Sequence, residues 1–114
     1  MRVLMAFGTR PEIVKLGTVV QALKRIPHIE LDVFWTGQHI ELADGLLDLF
    51  DIAVTQTGSD VMGRSGLAGK FGLMAQQIES VLEKKRFDWL IVQGDTATAA
   101  AAATAAFLNH VPVA

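Results

Sequence analysis

Short apolar runs alternate along the chain with stretches in which apolar residues recur every three or four positions. The runs at residues 2–7, 31–36 and 89–93 predict buried β-strands, and a further strand begins at residue 111. The helical spacing between them predicts helices on Ile13, Leu16, Val20 and Leu23; on Ala43, Leu46, Leu47 and Phe50; on Leu67, Phe71, Met74, Ile78 and Val81; and over the alanine-rich stretch from Thr96 to Asn109. The repeated strand–helix order predicts an α/β fold with a doubly wound parallel sheet and right-handed crossovers.

Residues 52–66 show neither a short apolar run nor the helical spacing of apolar residues. Five of the ten glycines lie between residues 58 and 72. Because glycine permits backbone conformations that regular elements do not use, we expect an irregular loop there that leads into the helix beginning near Leu67.

The composition narrows the class of protein. Hydrophobic residues make up 51% of the chain and charged residues 19%, which fits strands buried on both faces. The absence of cysteine excludes disulfides and thiolate metal sites. A net charge of −2 without a basic tract argues against a nucleic-acid partner.

The longest apolar stretch, residues 99–108, is shorter than the roughly 20 residues that span a bilayer. Charged residues interrupt the first apolar run too early for a signal peptide, so we expect a cytoplasmic protein without a membrane partner.

The turn after the first predicted strand, Gly8-Thr9-Arg10-Pro11-Glu12, carries candidate binding chemistry. Gly8 allows a sharp bend and close approach of a ligand to the backbone. Pro11 suits the first turn of a helix, where its missing N–H would have had no partner. Free amides at the helix start, with Arg10 and Lys15 nearby, would favour an anion such as a phosphate. The turn therefore predicts a nucleotide-type ligand at the edge of the sheet. The alternative is that Arg10 and Lys15 are solvated surface cations, an ordinary role for Lys15 within a helix.

The turn after the third predicted strand, Gly94-Asp95-Thr96, would open at the same edge, where parallel sheets bind ligands. Asp95 has two interpretations: an N-cap that satisfies helix amides, or a carboxylate available for acid–base work. Capping preference favours the first, although Thr96 could equally be the cap and would then free Asp95. A polar turn at residues 37–39 is less distinctive, and His39 lacks the cysteines of a deaminase zinc site.

Two cofactor motifs are absent. The segment at residues 63–71 resembles a phosphate loop, but a Walker sequence needs Gly at position 64 and Ser or Thr at position 71, where Arg64 and Phe71 stand. The chain also has no G-x-G-x-x-G fingerprint for a dinucleotide. We therefore predict no cofactor and no metal.

Three motifs in order, Phe7 to Lys15, Thr36 to His39 and Val92 to Thr98, resemble the start of the UDP-N-acetylglucosamine 2-epimerases. Ala106-Phe107 and the closing Val111-Pro112-Val113 extend the resemblance over essentially the whole chain. It implies that residues 1–114 are most of the N-terminal Rossmann-like domain of a glycosyltransferase-B-type fold. The C-terminal UDP-binding domain would lie outside the chain, and a family His-Val-Glu-Ala-Gly-Leu-Arg segment with a further catalytic Glu would begin directly after Ala114.

The resemblance also implies an activity. The family interconverts UDP-GlcNAc and UDP-ManNAc without an external redox cofactor, by eliminating UDP to give 2-acetamidoglucal and adding it back. By matched position, Asp95 is the candidate catalytic carboxylate. Gly8, Thr9, Arg10 and Lys15 are the candidate substrate-binding residues, and Gln38, His39 and Arg64 are candidates for a second, activating site. Other family features are a homodimer and a role in cell-surface polysaccharide biosynthesis.

Some positions depart from the family pattern, and other functions stay open. Gln93 stands where many members have His, and Glu41 replaces a polar amide of the activating site. We expect the chain alone to be inactive, because catalysis needs groups from both domains. The alternatives are a glycosyltransferase of the same fold, a hydrolysing epimerase, and a non-catalytic module that binds a nucleotide, or a partner through an exposed strand edge.

Overall fold

The computed structural model describes residues 1–36, 40–58, 61 and 63–114, with the backbone alone at residues 40–42 and 44. The elements are β1 (Arg2–Phe7), α1 (Arg10–Lys24), β2 (Glu30–Trp35), α2 (Ile40–Leu49), β3 (Gln56–Thr57), α3 (Leu67–Lys84), β4 (Trp89–Ile91) and α4 (Ala97–Leu108). The predicted alternation of strands and helices is therefore confirmed.

All strand pairs in the sheet are parallel, and the strand order is β3-β2-β1-β4. The ladder between β1 and β2 runs from Arg2↔Glu30 to Phe7↔Trp35. The ladder between β1 and β4 is shorter and ends at Met5↔Ile91. Past β4, Val113 forms a parallel bridge with Leu90, so the strand expected from residue 111 does begin beside β4.

Successive side chains of β1 enter two different cores. Leu4 and Ala6 pack with buried residues of α3 and α4, whereas Met5 and Phe7 pack with buried residues of α1 and α2. Because neighbouring side chains of a strand point to opposite faces of a sheet, helices must cover both faces. This confirms the doubly wound α/β fold and explains why β1 is apolar from Val3 to Phe7.

Two local expectations were wrong. A short strand, β3, forms at the sheet edge within the segment expected to be loop. The side chain of Thr55 both accepts from Val33 N and donates to Val33 O, at 2.9 Å each, and this contact directs the next two residues alongside β2. Leu67, expected on the buried face of α3, is 76% exposed. It is the first residue of α3, and helical side chains lean toward the N-terminus, so Leu67 extends past the helix start.

The contact between α1 and α2 depends on a glycine. A Cβ at Gly17 in α1 would overlap the ring of Phe50, which follows α2. We expect Gly17→Ala to lower the free energy of unfolding by about 1–3 kcal/mol, the usual cost of overpacking. The matched control is Gly72→Ala in α3, where an added Cβ meets nothing within 4 Å and should stabilise by about 0.4–1 kcal/mol. Urea unfolding of both variants makes the comparison, and equal stability would contradict the predicted overlap.

Candidate functional site

The crevice between the carboxyl ends of β1 and β4 is the topological switch point of the sheet. From β1 the chain enters α1 on one face, and from β4 it enters α4 on the other. Such a divergence leaves an opening beyond the strand ends, where ligands of open α/β sheets bind. The opening is lined by the β1 turn (residues 8–12) and the β4 turn (residues 92–96), which are the two turns that the sequence singles out.

A buried carboxylate joins these turns. Glu12 is 1% exposed. Its Oε2 accepts hydrogen bonds from Gly8 N at 2.9 Å, from Thr9 N at 2.8 Å and from Thr9 Oγ1 at 2.8 Å. Its Oε1 accepts from Thr96 Oγ1 at 2.6 Å. The amides of Gly8 and Thr9, which lie directly before the helix, are therefore occupied by the chain's own carboxylate.

Sequence reasoning missed this role of Glu12, although a signal was present. Thr9-Arg10-Pro11-Glu12 has the spacing of a capping box, in which an acidic residue at the third helical position accepts from the N-cap amide. The carboxylate also lies at the helix start, where the helix dipole favours negative charge. That spacing predicts the bond to Thr9 and gives no indication of Thr96.

At the β4 turn the structure decides between the two candidate caps. Thr96 is the N-cap of α4, and its Oγ1 accepts from Ala99 N at 3.1 Å. The interpretation of Asp95 as the cap, which capping preference favoured, is wrong. Asp95 is exposed, and no side chain in the described part of the chain forms an ion pair with it. The preceding residue, Gly94, has a φ of +86°, a backbone conformation that residues other than glycine rarely adopt.

The two predicted cations lie on the β1 side of the opening. Arg10 and Lys15 are both exposed. With the Gln93 amide oriented so that its oxygen faces the surrounding donors, that oxygen accepts from Lys15 Nζ and from Gly94 N, each at 3.2 Å. Lys15 thus crosses from α1 to the β4 turn. A separate groove of about 560 Å³ lies between α1 and α2 and is lined by Arg10, Pro11, Val14, Lys15 and Leu46.

The end of β2 is tied to α4 by hydroxyl groups. Thr36 and Thr98 are fully buried, and their Oγ1 atoms lie 3.0 Å apart. Thr98 also contacts Met74 Sδ at 3.5 Å. Of the candidates for a second site, Gln38 and His39 lie outside the described residues. Arg64 is exposed in the loop between β3 and α3.

No group of three or more His, Cys, Asp or Glu side chains in the described residues could hold a metal ion. None of the helices in the described ranges is long and apolar enough to cross a membrane.

A family model and curated relatives both point to the family that the sequence motifs resemble. The family model for UDP-N-acetylglucosamine 2-epimerase matches residues 21–114. A UDP-N-acetylglucosamine 2-epimerase of Salmonella typhimurium is 36% identical over 113 residues, covering 99% of this chain and 30% of that protein. The enzyme of Escherichia coli strain K12 is 35% identical over the same share of each chain. The chain therefore spans about 30% of the length of the curated relatives it matches.

Solved structures of similar fold are also UDP-GlcNAc 2-epimerases. The UDP-GlcNAc 2-epimerase of Neisseria meningitidis bound to UDP-GlcNAc superposes with a TM-score of 0.94 and 35% identity, covering 99% of this chain and 31% of that one. The Methanocaldococcus jannaschii enzyme in complex with UDP-GlcNAc and UDP gives a TM-score of 0.91 and 30% identity, covering 100% and 32%. Both carry the glycosyltransferase-B-like fold that the resemblance implied. On its sequence, its fold and the placement of its motifs, the chain belongs to the UDP-N-acetylglucosamine 2-epimerase family.

Proposed function

We propose that this chain supplies the N-terminal Rossmann-like part of an enzyme that interconverts UDP-GlcNAc and UDP-ManNAc. The observation that carries the proposal is that cationic side chains and an exposed carboxylate lie at the same edge of the sheet. The β1 side offers the cations Arg10 and Lys15, and the β4 turn offers the Asp95 carboxylate, which does not serve as a helix cap. Family membership favours this epimerase over a glycosyltransferase of the same fold.

The arrangement fits what the reaction requires. Inverting a carbon that carries hydrogen, without a redox step, requires that the C2 proton be removed and a proton returned to the opposite face. Asp95 is the candidate for moving a proton at C2. Eliminating UDP develops negative charge on the diphosphate, which Arg10 and Lys15 would stabilise. Gly8 and Thr9 would then form the wall of the diphosphate site, with their amides already committed to Glu12.

Isotope exchange tests the proposal directly. The complete protein encoded by the reading frame that contains this chain is incubated with UDP-GlcNAc in D₂O. We expect UDP-ManNAc to accumulate with deuterium at C2 of the product. Free ManNAc with UDP would instead identify a hydrolysing enzyme, and transfer of the sugar to an acceptor would identify a glycosyltransferase. The 114-residue chain alone should show no turnover, because the uridine-binding groups of the family lie in another domain.

Replacing one cation should weaken use of the substrate. We expect Lys15→Gln to lower kcat/KM for UDP-GlcNAc by about 10–100-fold, since a hydrogen bond to a charged group is worth about 1.5–3 kcal/mol. The matched control is Lys24→Gln in the last turn of the same helix, where Lys24 pairs with Asp51 at 3.1 Å, away from the β4 turn. Steady-state kinetics of both variants make the test. A loss of the same size in both would show that helix charge, not a diphosphate contact, is responsible.

Other expectations stay predictions. We propose a cytoplasmic homodimer that takes a UDP-sugar and serves cell-surface polysaccharide synthesis, and light scattering of the complete protein would test the dimer. The second site at Gln38, His39 and Arg64 would be tested by asking whether added UDP-GlcNAc activates the reverse reaction.

A further inference from the structure

The β1 and β4 turns lie beyond the part of the sheet that holds their strands together. Backbone pairing between β1 and β4 ends at Met5↔Ile91, whereas β1 stays paired with β2 up to Phe7↔Trp35. The last two residues of β1 therefore have no ladder to β4 beside them. Within the described residues, the hydrogen bonds that span this gap near the turns come from side chains: Thr96 to Glu12 and Lys15 to Gln93.

The Thr96–Glu12 hydrogen bond joins the two turns that carry the cation Arg10 and the carboxylate Asp95. Arg10 stands between Thr9 and Glu12, which are themselves hydrogen-bonded. Asp95 immediately precedes Thr96. The carboxylate that anchors the β1 turn through Oε2 therefore anchors the β4 turn through Oε1. A shift of either turn would change how far the cation stands from the exposed carboxylate.

We propose that Glu12 and Thr96 are positioning residues, whose hydrogen bond sets the placement of Asp95 relative to Arg10 across the crevice. This inference rests on the proposed function, because it assigns the purpose of the bond to that reaction. Neither residue needs to touch the substrate. Displacing a catalytic group by about 1 Å can cost about 100-fold in rate, so such a bond has a measurable effect on catalysis.

The chemistry of Thr96 makes the proposal specific. Its hydroxyl has one proton, which it gives to Glu12 Oε1, while its oxygen accepts from Ala99 N. Serine can do both. Aspartate can cap the helix equally well but has no proton to donate, and its charge would repel Glu12. Thr96→Ser and Thr96→Asp therefore form a pair that separates the bond to Glu12 from the cap.

The experiment uses the complete protein and follows both kcat and amide hydrogen exchange. We expect Thr96→Asp to lower kcat by about 10–100-fold and Thr96→Ser to stay within about threefold of the unchanged protein. In Thr96→Asp, the Gly8 and Thr9 amides should exchange faster, although they lie more than 80 positions away in sequence. A cap alone would alter exchange only at the start of α4. Glu12→Gln removes the charge of the acceptor, and its amide N–H can donate to a carboxylate at position 96, so the double variant with Thr96→Asp should lose no more kcat than the worse single variant.

Ile78→Val, a core change in α3 away from the crevice, controls for lost stability. The proposal is overturned if Thr96→Asp keeps kcat within threefold, if its loss equals that of Ile78→Val, or if the single losses add in the double variant. It is also overturned if exchange at Gly8 and Thr9 is unchanged. Should the unchanged protein fail to epimerise UDP-GlcNAc, the proposed function fails by itself, and hydrogen exchange alone then decides whether the bond holds the two turns together.

Discussion

Asp95→Asn is expected to lower kcat for interconversion of UDP-GlcNAc and UDP-ManNAc by about 10²–10⁴-fold, the usual contribution of a positioned acid–base group. Asparagine has nearly the same shape but cannot accept the proton at C2. Deuterium incorporation at C2 from D₂O should fall in parallel with turnover.

The structure predicts that this loss will come without a loss of stability. Thr96, not Asp95, caps α4, and Asp95 is exposed, so Asp95→Asn should change the free energy of unfolding by less than about 0.5 kcal/mol. Asp48→Asn, which changes an exposed carboxylate on α2, is the matched control and should retain full kcat. If Asp95→Asn keeps more than a tenth of kcat, another group moves the proton.

Phe7→Ala is expected to have the largest effect on stability, about 3–5 kcal/mol, as for other fully buried aromatic residues. Phe7 is 0% exposed and packs edge-to-face on Trp35, with ring centroids 5.8 Å apart and ring planes at 76°. It is also the last residue of β1, so the cavity would open directly beneath the β1 turn.

Urea unfolding measures this effect, with Phe107→Ala as the matched control. Phe107 is 76% exposed at the end of α4 and should change the free energy of unfolding by less than about 0.5 kcal/mol. A loss below 1 kcal/mol for Phe7→Ala would contradict the packing described for this core.

Most of the fold could be predicted from the sequence because the apolar positions of α1, α2 and α3 recur at helical spacing and because the strands between them are short apolar runs. From Val3 to Phe7 the strand β1 is apolar without interruption because both of its faces are buried there, and such a run indicates a parallel sheet. The strand β3 could not be found in this way. Its place beside β2 depends on the hydroxyl of Thr55 and on a bond from Gly58 N to Trp35 O, not on alternating side chains.

The location of the candidate site could be predicted from the sequence, but its hydrogen bonds could not. The turns after β1 and β4 could be named because they follow buried strands. Between Asp95 and Thr96, however, local preference cannot select the cap, since both are good N-caps. The choice depends on Glu12, 84 positions away from Thr96 in sequence. A cap next to that carboxylate must donate as well as accept, which threonine can do and aspartate cannot.

The central position of β1 also has a consequence for folding during synthesis. Strand β1 pairs on one side with β4, and Arg2 N donates to Asp88 Oδ2 across a separation of 86 residues. At roughly 5–20 residues per second, that edge of β1 stays without its partner for on the order of ten seconds after it leaves the ribosome. Because closing so long a loop precedes the gain from pairing, we expect β1 to pair with β4 only after it has paired with β2.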